Sequence, residues 1–364
     1  MKTIATKKNI SRLLCLGTAL LSVQAFAAPP GFITNQGQAK SVRTDNAGYW
    51  TRERMMHAKP APVPTMTGAP EDMLMLNQDG KSGQGDGESE TVDGMEGDSA
   101  SVLLSGDEAD AMAMAGAIDL QAGDIETLSH VPPHVTGYVP LSYYPYHPWR
   151  TIGKVFFSSG PYNYVCSGSS VGGRAVLTAG HCVSNGGGGW YSNWRFAPRY
   201  MNGSSPDGIW SASFLSTFTA WHTTANLCRD VGFAITNNQG GLKLSQKVGY
   251  LGFAWNYSQY QNFNMFGYPA AYPWNGQYMV HTQASTAQLA SPNGCTPYVK
   301  GIGTTQTGGT SGGPWLLNYA PFTVGNVNHA NGVNSFIYTA HPNVLYSPHF
   351  DTAVNNLRTW AVAQ

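Results

Sequence analysis

No glutamate follows Glu126 in this 364-residue chain, and only three aspartates do, Asp207, Asp230 and Asp351. A metalloprotease built on H-E-x-x-H is therefore excluded from the region after residue 126, because its general base is a glutamate. A glycosidase would have to draw its two carboxylates from three scattered aspartates, a poor start for a pair that must face one bond. The 5 cysteines include no C-x-x-C pair, so a zinc site has no spacing to build on. No apolar run is long enough to span a bilayer, and no glycine loop is placed to cradle phosphate. The basic residues are dispersed rather than clustered, which argues against nucleic acid. No cofactor, metal, membrane or nucleic-acid partner is expected.

What is present divides into three parts. Residues 1–27 join a cationic start (Lys2, Lys7, Lys8, Arg12) to the apolar stretch LLCLGTALLSV and end in AFA, the form of a secretory signal peptide cut before Ala28. The product is expected to be secreted, to the periplasm or beyond the cell. Residues 28–126 hold 17 acidic and 6 basic residues with abundant Gly, Ser, Met and Pro, a composition that buries little apolar surface and reads as an acidic, low-complexity pro-segment. Its NQDGKSGQGDGESE stretch lacks oxygen ligands at the alternate positions a calcium loop requires. Residues 127–364 reverse the balance, with 10 Lys and Arg and nearly all the tryptophan and tyrosine. They form the folded body.

Within the body, TIGKVFFSS, GRAVLTAG, VGFAIT and NFNMFGY are short β-branched and aromatic runs between Gly, Asn and Pro clusters, the pattern of antiparallel strands. Helical periodicity is confined to the end, FDTAVNNLRTWAVA, where Phe350, Val354, Leu357 and Ala361 share a face and Asp351 or Thr352 can cap. The class is all-β, and about 235 residues of strands suit two packed barrels better than one sandwich. Cys166, Cys182, Cys228 and Cys295 are an even set in an exported chain, so two disulfides are expected. Cys166 and Cys182 flank SGSSVGGRAVLTAGH and pair with each other, leaving Cys228 for Cys295.

The stretch GGTSGGPW, residues 308–315, satisfies two nucleophile signatures at once, G-x-S-x-G and G-x-S-G-G-P. In the first, an elbow before a helix, the serine is followed by its acid and then its histidine. After Ser311 the only acid is Asp351, and no histidine follows it. The order Asp, His, Ser could use Asp230, His281 and Ser311, but it belongs to a fold of βαβ helices that this pattern lacks. The order His, Asp, Ser remains, with His181, Asp230 and Ser311. His181 closes AVLTAGHC, at the end of an apolar strand. Asp230 opens the apolar strand DVGFAIT, where a carboxylate needs hydrogen bonds to offset its burial. Asp207, in SSPDGIW, is expected in a solvated turn. Glycines around Ser311 let backbone amides approach a substrate.

LTAGHC, RDVGFAI and GGTSGGP in this order resemble the chymotrypsin-fold, trypsin-like serine endopeptidases over residues 140–364. YPYHPWRTIGKVFF, VGYLGFAWN and FGYPAAYPWNGQYMVHT are similar to their bacterial glutamyl-endopeptidase, V8-like branch. The resemblance implies two packed six-stranded antiparallel Greek-key barrels with a C-terminal helix, and hydrolysis of polypeptide substrates through an acyl-enzyme. It assigns His181 as base, Asp230 as its orienting acid, Ser311 as nucleophile, and the amides of Gly309 and Ser311 as the oxyanion hole. It also places a substrate-binding pocket at Thr305, Gln306, Asn328 and His329. Two features depart from the family. Thr310 stands where the animal enzymes have an aspartate, so activation by a new N-terminal amine is not available. Thr305 on the pocket floor is no acid, which argues against Lys or Arg preference; Gln306 replaces the glutamyl branch's threonine, and His329 lies about two residues past its pocket histidine.

A modified pocket for acidic residues is the expectation, with GDIETL offering self-cleavage after Glu126 and a body that contains no glutamate to cut. Net charges of −11 on residues 28–126 and +7 on the body give the pro-segment an electrostatic hold over the site, as intramolecular inhibitor of a monomeric zymogen. The alternative is a non-catalytic binding protein on the same fold that keeps the polar trio for structure.

Overall fold

The computed structural model describes residues 28–37, 48–70, 88–98 and 131–364; the expected signal peptide and the expected cleavage site after Glu126 lie outside the described residues. Strands β1 (Phe32–Thr34), β2 (Lys59–Pro60), β3 (Thr65–Met66) and β4 (Glu90–Val92), with helix α1 (Arg52–His57), come from the leading region, and β5 (His134–Tyr138) opens the body.

The first half of the body contains β6 (Ile152–Ser159), β7 (Tyr162–Ser170), β8 (Ala175–Thr178), β9 (Ser192–Pro198), β10 (Trp210–Phe218) and β11 (Gly232–Thr236). They pair antiparallel in the ring β6–β7–β8–β11–β10–β9, closed by β9 on β6. Side chains alternate as a two-residue period demands. Val155, Phe157, Val176 and Ala234 meet in one cluster, while Phe156, Leu177, Phe233 and Ile235 meet in another. With both faces of the wall covered, the strands read in the sequence as nearly continuous apolar runs.

The second half contains β12 (Gly252–Trp255), β13 (Asn262–Gly267), β14 (Val280–Ala290), β15 (Val299–Gly303), β16 (Pro314–Leu317), β17 (His329–Val333), β18 (Phe336–Tyr338) and β19 (His341–Ser347). Pairing runs β18–β19–β15–β14–β13–β16–β17. Because β17 continues into β18 after Asn334 and Ser335, this sheet also closes on itself. Helices α2 (Thr219–Thr224) and α3 (Leu244–Val248) are short, and α4 (Thr352–Ala363) ends the chain. The face expected for α4 is buried, at Phe350, Val354, Leu357 and Ala361. Asp351 caps it, its Oδ1 accepting from Val354 N at 3.0 Å, a bond worth about 1 kcal/mol. Both expected disulfides form, Cys166–Cys182 and Cys228–Cys295.

Asp207 corrects the expectation of a solvated turn. It is buried between Arg150, 2.9 Å away, and Arg199, 2.6 Å away. Pairing of Gly153 with Pro198 brings the two arginines to one end of the barrel, a convergence invisible in the local sequence.

The leading residues also bury more than their average composition implies. β1 pairs with β10, β2 with β7, β3 with β18 and β4 with β12, and Trp50, Met55 and Ala61 are buried. Burial of a Trp or Met side chain favours docking by about 1.5–3 kcal/mol. Backbone pairing and apolar contact therefore hold these pieces to the body, with Asp93 approaching His329 Nε2 at 4.0 Å. Among the described residues, no helix is long and apolar enough to cross a membrane.

Candidate active site

Strand β8 ends at Thr178 and a tight turn through Ala179 and Gly180 carries the chain to His181. Asp230 precedes β11, and pairing of Thr178 with Gly232 delivers both residues to one end of the first barrel. The Asp230 carboxylate is fully buried. Its Oδ1 accepts from His181 N at 2.7 Å; its Oδ2 lies 2.8 Å from His181 Nδ1 and accepts from Ser335 Oγ at 2.5 Å. Three donors offset a burial that an unpaired carboxylate would not tolerate. The contact puts the ring's Nδ1–H toward the acid and frees Nε2 for another partner. The disulfide at Cys182 anchors the same turn to β7.

Ser311 arrives from the second barrel, on the loop between β15 and β16. Ser167 of β7 holds that loop: its amide donates to Ser311 O at 2.7 Å and its hydroxyl donates to Gly309 O at 2.9 Å, while Tyr268 N donates to that hydroxyl at 2.8 Å. Gly312 is required here, because its φ is +79° and a methyl group on it would fall 2.1 Å from Thr178 Oγ1. The loop therefore packs directly on the strand that leads to His181. Among the described residues neither Ser311 Oγ nor His181 Nε2 has a hydrogen-bond partner, and both atoms are buried. Among the described residues no acceptor reaches the amides of Gly309 and Ser311. Unpaired buried amides are rare.

The pocket residues divide. Thr305 is exposed, its carbonyl accepting from Trp274 Nε1 at 2.7 Å, and Gln306 is buried, its Nε2 donating to Thr282 Oγ1 at 3.1 Å. Both flank the loop that carries Ser311. Asn328 and His329 do not join them, which corrects the expected set. Asn328 Nδ2 donates to Ala320 O at 2.8 Å and Thr323 O at 2.9 Å, and His329 pairs beside Gly252 with Asp93 near its ring. They open β17, whereas Asn334, which does touch the loop, lies past its far end; at about 3.3 Å per residue the gap is about 16 Å. Counting from Ser311 misplaced the histidine because the connection from β16 to β17 is long.

The family model described as Trypsin matches residues 141–361. The chain belongs to the trypsin family. Two solved structures are similar. One is a thermostable serine protease, AL20, from an extremophilic microorganism, with 34% identity, a TM-score of 0.54 and coverage of 59% of this chain and 98% of that one. The other is the protease Anisep from Arthrobacter nicotinovorans, with 34% identity, a TM-score of 0.56 and coverage of 63% of this chain and 100% of that one. No curated protein matches the chain. The protein is a serine endopeptidase acting on polypeptide substrates.

In this trypsin-family chain the residue before Ser311 is neutral, and so is everything that holds it. Thr310 Oγ1 donates to Gln306 Oε1 at 2.5 Å and accepts from Asn334 Nδ2 at 2.8 Å; Asn334 Oδ1 accepts from Trp315 Nε1 at 2.6 Å. The Asn334 backbone accepts from Gly312 N at 2.8 Å and donates to Gly313 O at 3.0 Å. One asparagine thus grips the loop on both sides of Ser311. Neither Asn334 nor Ser335 stands out in the sequence; the available signal is a polar pair interrupting an apolar strand, NGVNSFIY. Cys166, Cys182 and His181 place ligand atoms within 4.8 Å of one another, but both sulfurs are spent in the disulfide, which leaves no thiolate for a metal.

Proposed function

We propose that this endopeptidase is a secreted zymogen working through a His181, Asp230, Ser311 triad. The observation that carries the reading is the buried contact of 2.8 Å between His181 Nδ1 and Asp230 Oδ2, in the same seam as an unpartnered Ser311 hydroxyl. Ser311 Oγ attacks the scissile carbonyl as its proton passes to His181 Nε2, while Asp230 fixes the tautomer and stabilises the imidazolium. The Gly309 and Ser311 amides receive the oxyanion, each lowering the barrier by about 3 kcal/mol. His181 then protonates the leaving amine. Water follows the same path, giving its proton to His181, and the acyl group leaves as Ser311 Oγ recovers the proton.

The proposed preference is for an acidic residue before the cut bond. It is supported by the lack of glutamate after Glu126 and by the neutral residues Thr305 and Gln306 at the pocket, with His329 having no part in it. Export is supported by the signal-like residues 1–27 and by two disulfides. The leading residues 28–126 act as an intramolecular inhibitor until removed. Digestion of a peptide library with enzyme cut after Glu126 tests the reading. Cleavage after Glu or Asp, abolished by Ser311→Ala, is expected. Cleavage after Lys, Arg or large apolar residues overturns the acid preference alone, and hydrolysis surviving Ser311→Ala overturns the triad.

A further inference from the structure

We infer that Lys59–Met66 is a cleavage-resistant strap filling the peptide cleft of the intact chain; the inference rests on the protease reading above and identifies which part of the leading region restrains it. The strap crosses from one barrel to the other. On the first, β2 lies parallel to β7, with Lys59 beside Tyr164 and Pro60 beside Val165, and Ala61 N donates to Val165 O at 3.0 Å. On the second, β3 lies parallel to β18, with Thr65 beside Ile337 and Met66 beside Tyr338. Ile337 N donates to Pro64 O at 3.1 Å and Thr339 N to Met66 O at 2.9 Å.

Between these anchors Ala61, Pro62 and Pro64 wall a cavity of about 330 Å³ that His181, Tyr191 and Trp221 also line. Pro60 meets the nucleophile loop as well, since a methyl group on Gly308 would lie 3.1 Å from its Cβ. His181 and Ser311 are 6% and 1% exposed, too little for a peptide to reach them. The strap therefore takes the strand edges on either side of the site, where an extended peptide would have to pair, and walls the remaining space beside His181.

Its sequence accounts for its being an occupant rather than a substrate. Residues 59–66 read KPAPVPTM, so every peptide bond from Lys59 to Thr65 has a proline on one side or the other. Proline fixes φ near −65° and carries no N–H, so neither the scissile geometry nor the usual ladder bonds can form freely along this stretch. Alternating prolines also hold the segment extended before it docks, which reduces the entropy lost on binding. It contains no acidic residue to fill a pocket that prefers one. The partner chemistry that fits this cleft without being cut is an extended, acid-free peptide with proline at alternate positions.

Labelling by a fluorophosphonate tests the strap in three intact chains: the natural one, one with residues 60–64 replaced by glycine and serine, and Ser311→Ala. The replaced strap is expected to label at least about tenfold faster while still uncut by mass, because reactivity scales with the open fraction. Free KPAPVPTM peptide, but not its scrambled form, is expected to return the rate to that of the natural chain. Equal labelling of the natural and replaced chains overturns the strap and leaves the triad standing. No labelling of either, with native near-ultraviolet circular dichroism in both, overturns the triad and the strap with it. Where the replaced chain does not fold, hydrogen exchange on the natural chain decides. Slow exchange at the Ala61, Ile337 and Thr339 amides is expected, and fast exchange at Ala61 overturns the strap.

Discussion

The two barrels bury polarity in different ways. The first sets charge against charge, with Asp207 between Arg150 and Arg199 and Asp230 against His181. The second holds its share of the site with neutral groups, Thr310, Gln306, Asn334 and Trp315, and buries His329 and His349 with no hydrogen-bond partner on either ring nitrogen among the described residues. Where the barrels do the same thing, it is with lysine: Lys154 donates to Gly276 O at 2.6 Å, and Lys300 donates to Asn331 Oδ1 at 2.7 Å. Burial pulls both lysines down to about 7. The contrast fits what each barrel would supply under the proposed mechanism. A group that must accept and return a proton needs a fixed charge to orient it and to stabilise its cation. A hydroxyl and two amides need only to be held still, and neutral bonds do that without an ionised partner or a newly made N-terminus.

The sharpest way to break this comparison is Asp230→Asn. The amide keeps an acceptor for the His181 backbone but favours the wrong imidazole tautomer, so kcat is expected to fall by about 10⁴-fold, the loss seen for other triads, in a chain that remains folded. Steady-state kinetics checks it, and a loss below about tenfold would mean that the first barrel's charge is structural. Asn334→Ala comes next. It releases Thr310 and leaves the Trp315 indole N–H without its acceptor, for a stability loss of about 2 kcal/mol. The loop it grips would shift, and kcat is expected to drop about 10²-fold with the pH profile unmoved, because the acid–base pair is untouched. A displaced pH profile would show that the neutral network also tunes His181.

The residues of the proposed triad drew notice because each sits in a local motif: a histidine at a strand end beside a cysteine, an aspartate opening an apolar strand, a serine among glycines. The strands were legible from their composition, and α4 from its spacing and its cap. What escaped depends on register between strands distant in sequence. Ser335 reaches Asp230, and Arg150 reaches Asp207, only once the sheets have closed. His329 was misplaced because residue counting cannot measure the connection before β17. The strap escaped for another reason. Its anchors β2 and β3 are two residues each, too short for any period, and its prolines argue locally against a strand.

The smallest expected effect bears on the second barrel alone. Burial, with Lys300 and Arg229 close by, pulls His349 down to about 3, and burial pulls His281 down to about 4. In the unfolded chain an imidazole takes its proton near 6.5. Between these values the unfolded chain holds a proton that the folded chain refuses, so the contribution to stability is full above about pH 6.5 and is lost as the pH falls toward 3. The slope is about 1.4 kcal/mol per pH unit for each such histidine. Since neither ring nitrogen of His349 has a hydrogen bond to lose among the described residues, His349→Leu removes the proton site at little structural cost. Urea unfolding is expected to show a gain of about 2 kcal/mol near pH 4.5 and almost none near pH 8. An equal gain at both would trace the change to packing. The acid sensitivity of the second barrel would then rest on His329, which burial also pulls down, and on His281, whose Nε2 has a partner in Asn264 Oδ1 at 2.8 Å and is correspondingly harder to replace without loss.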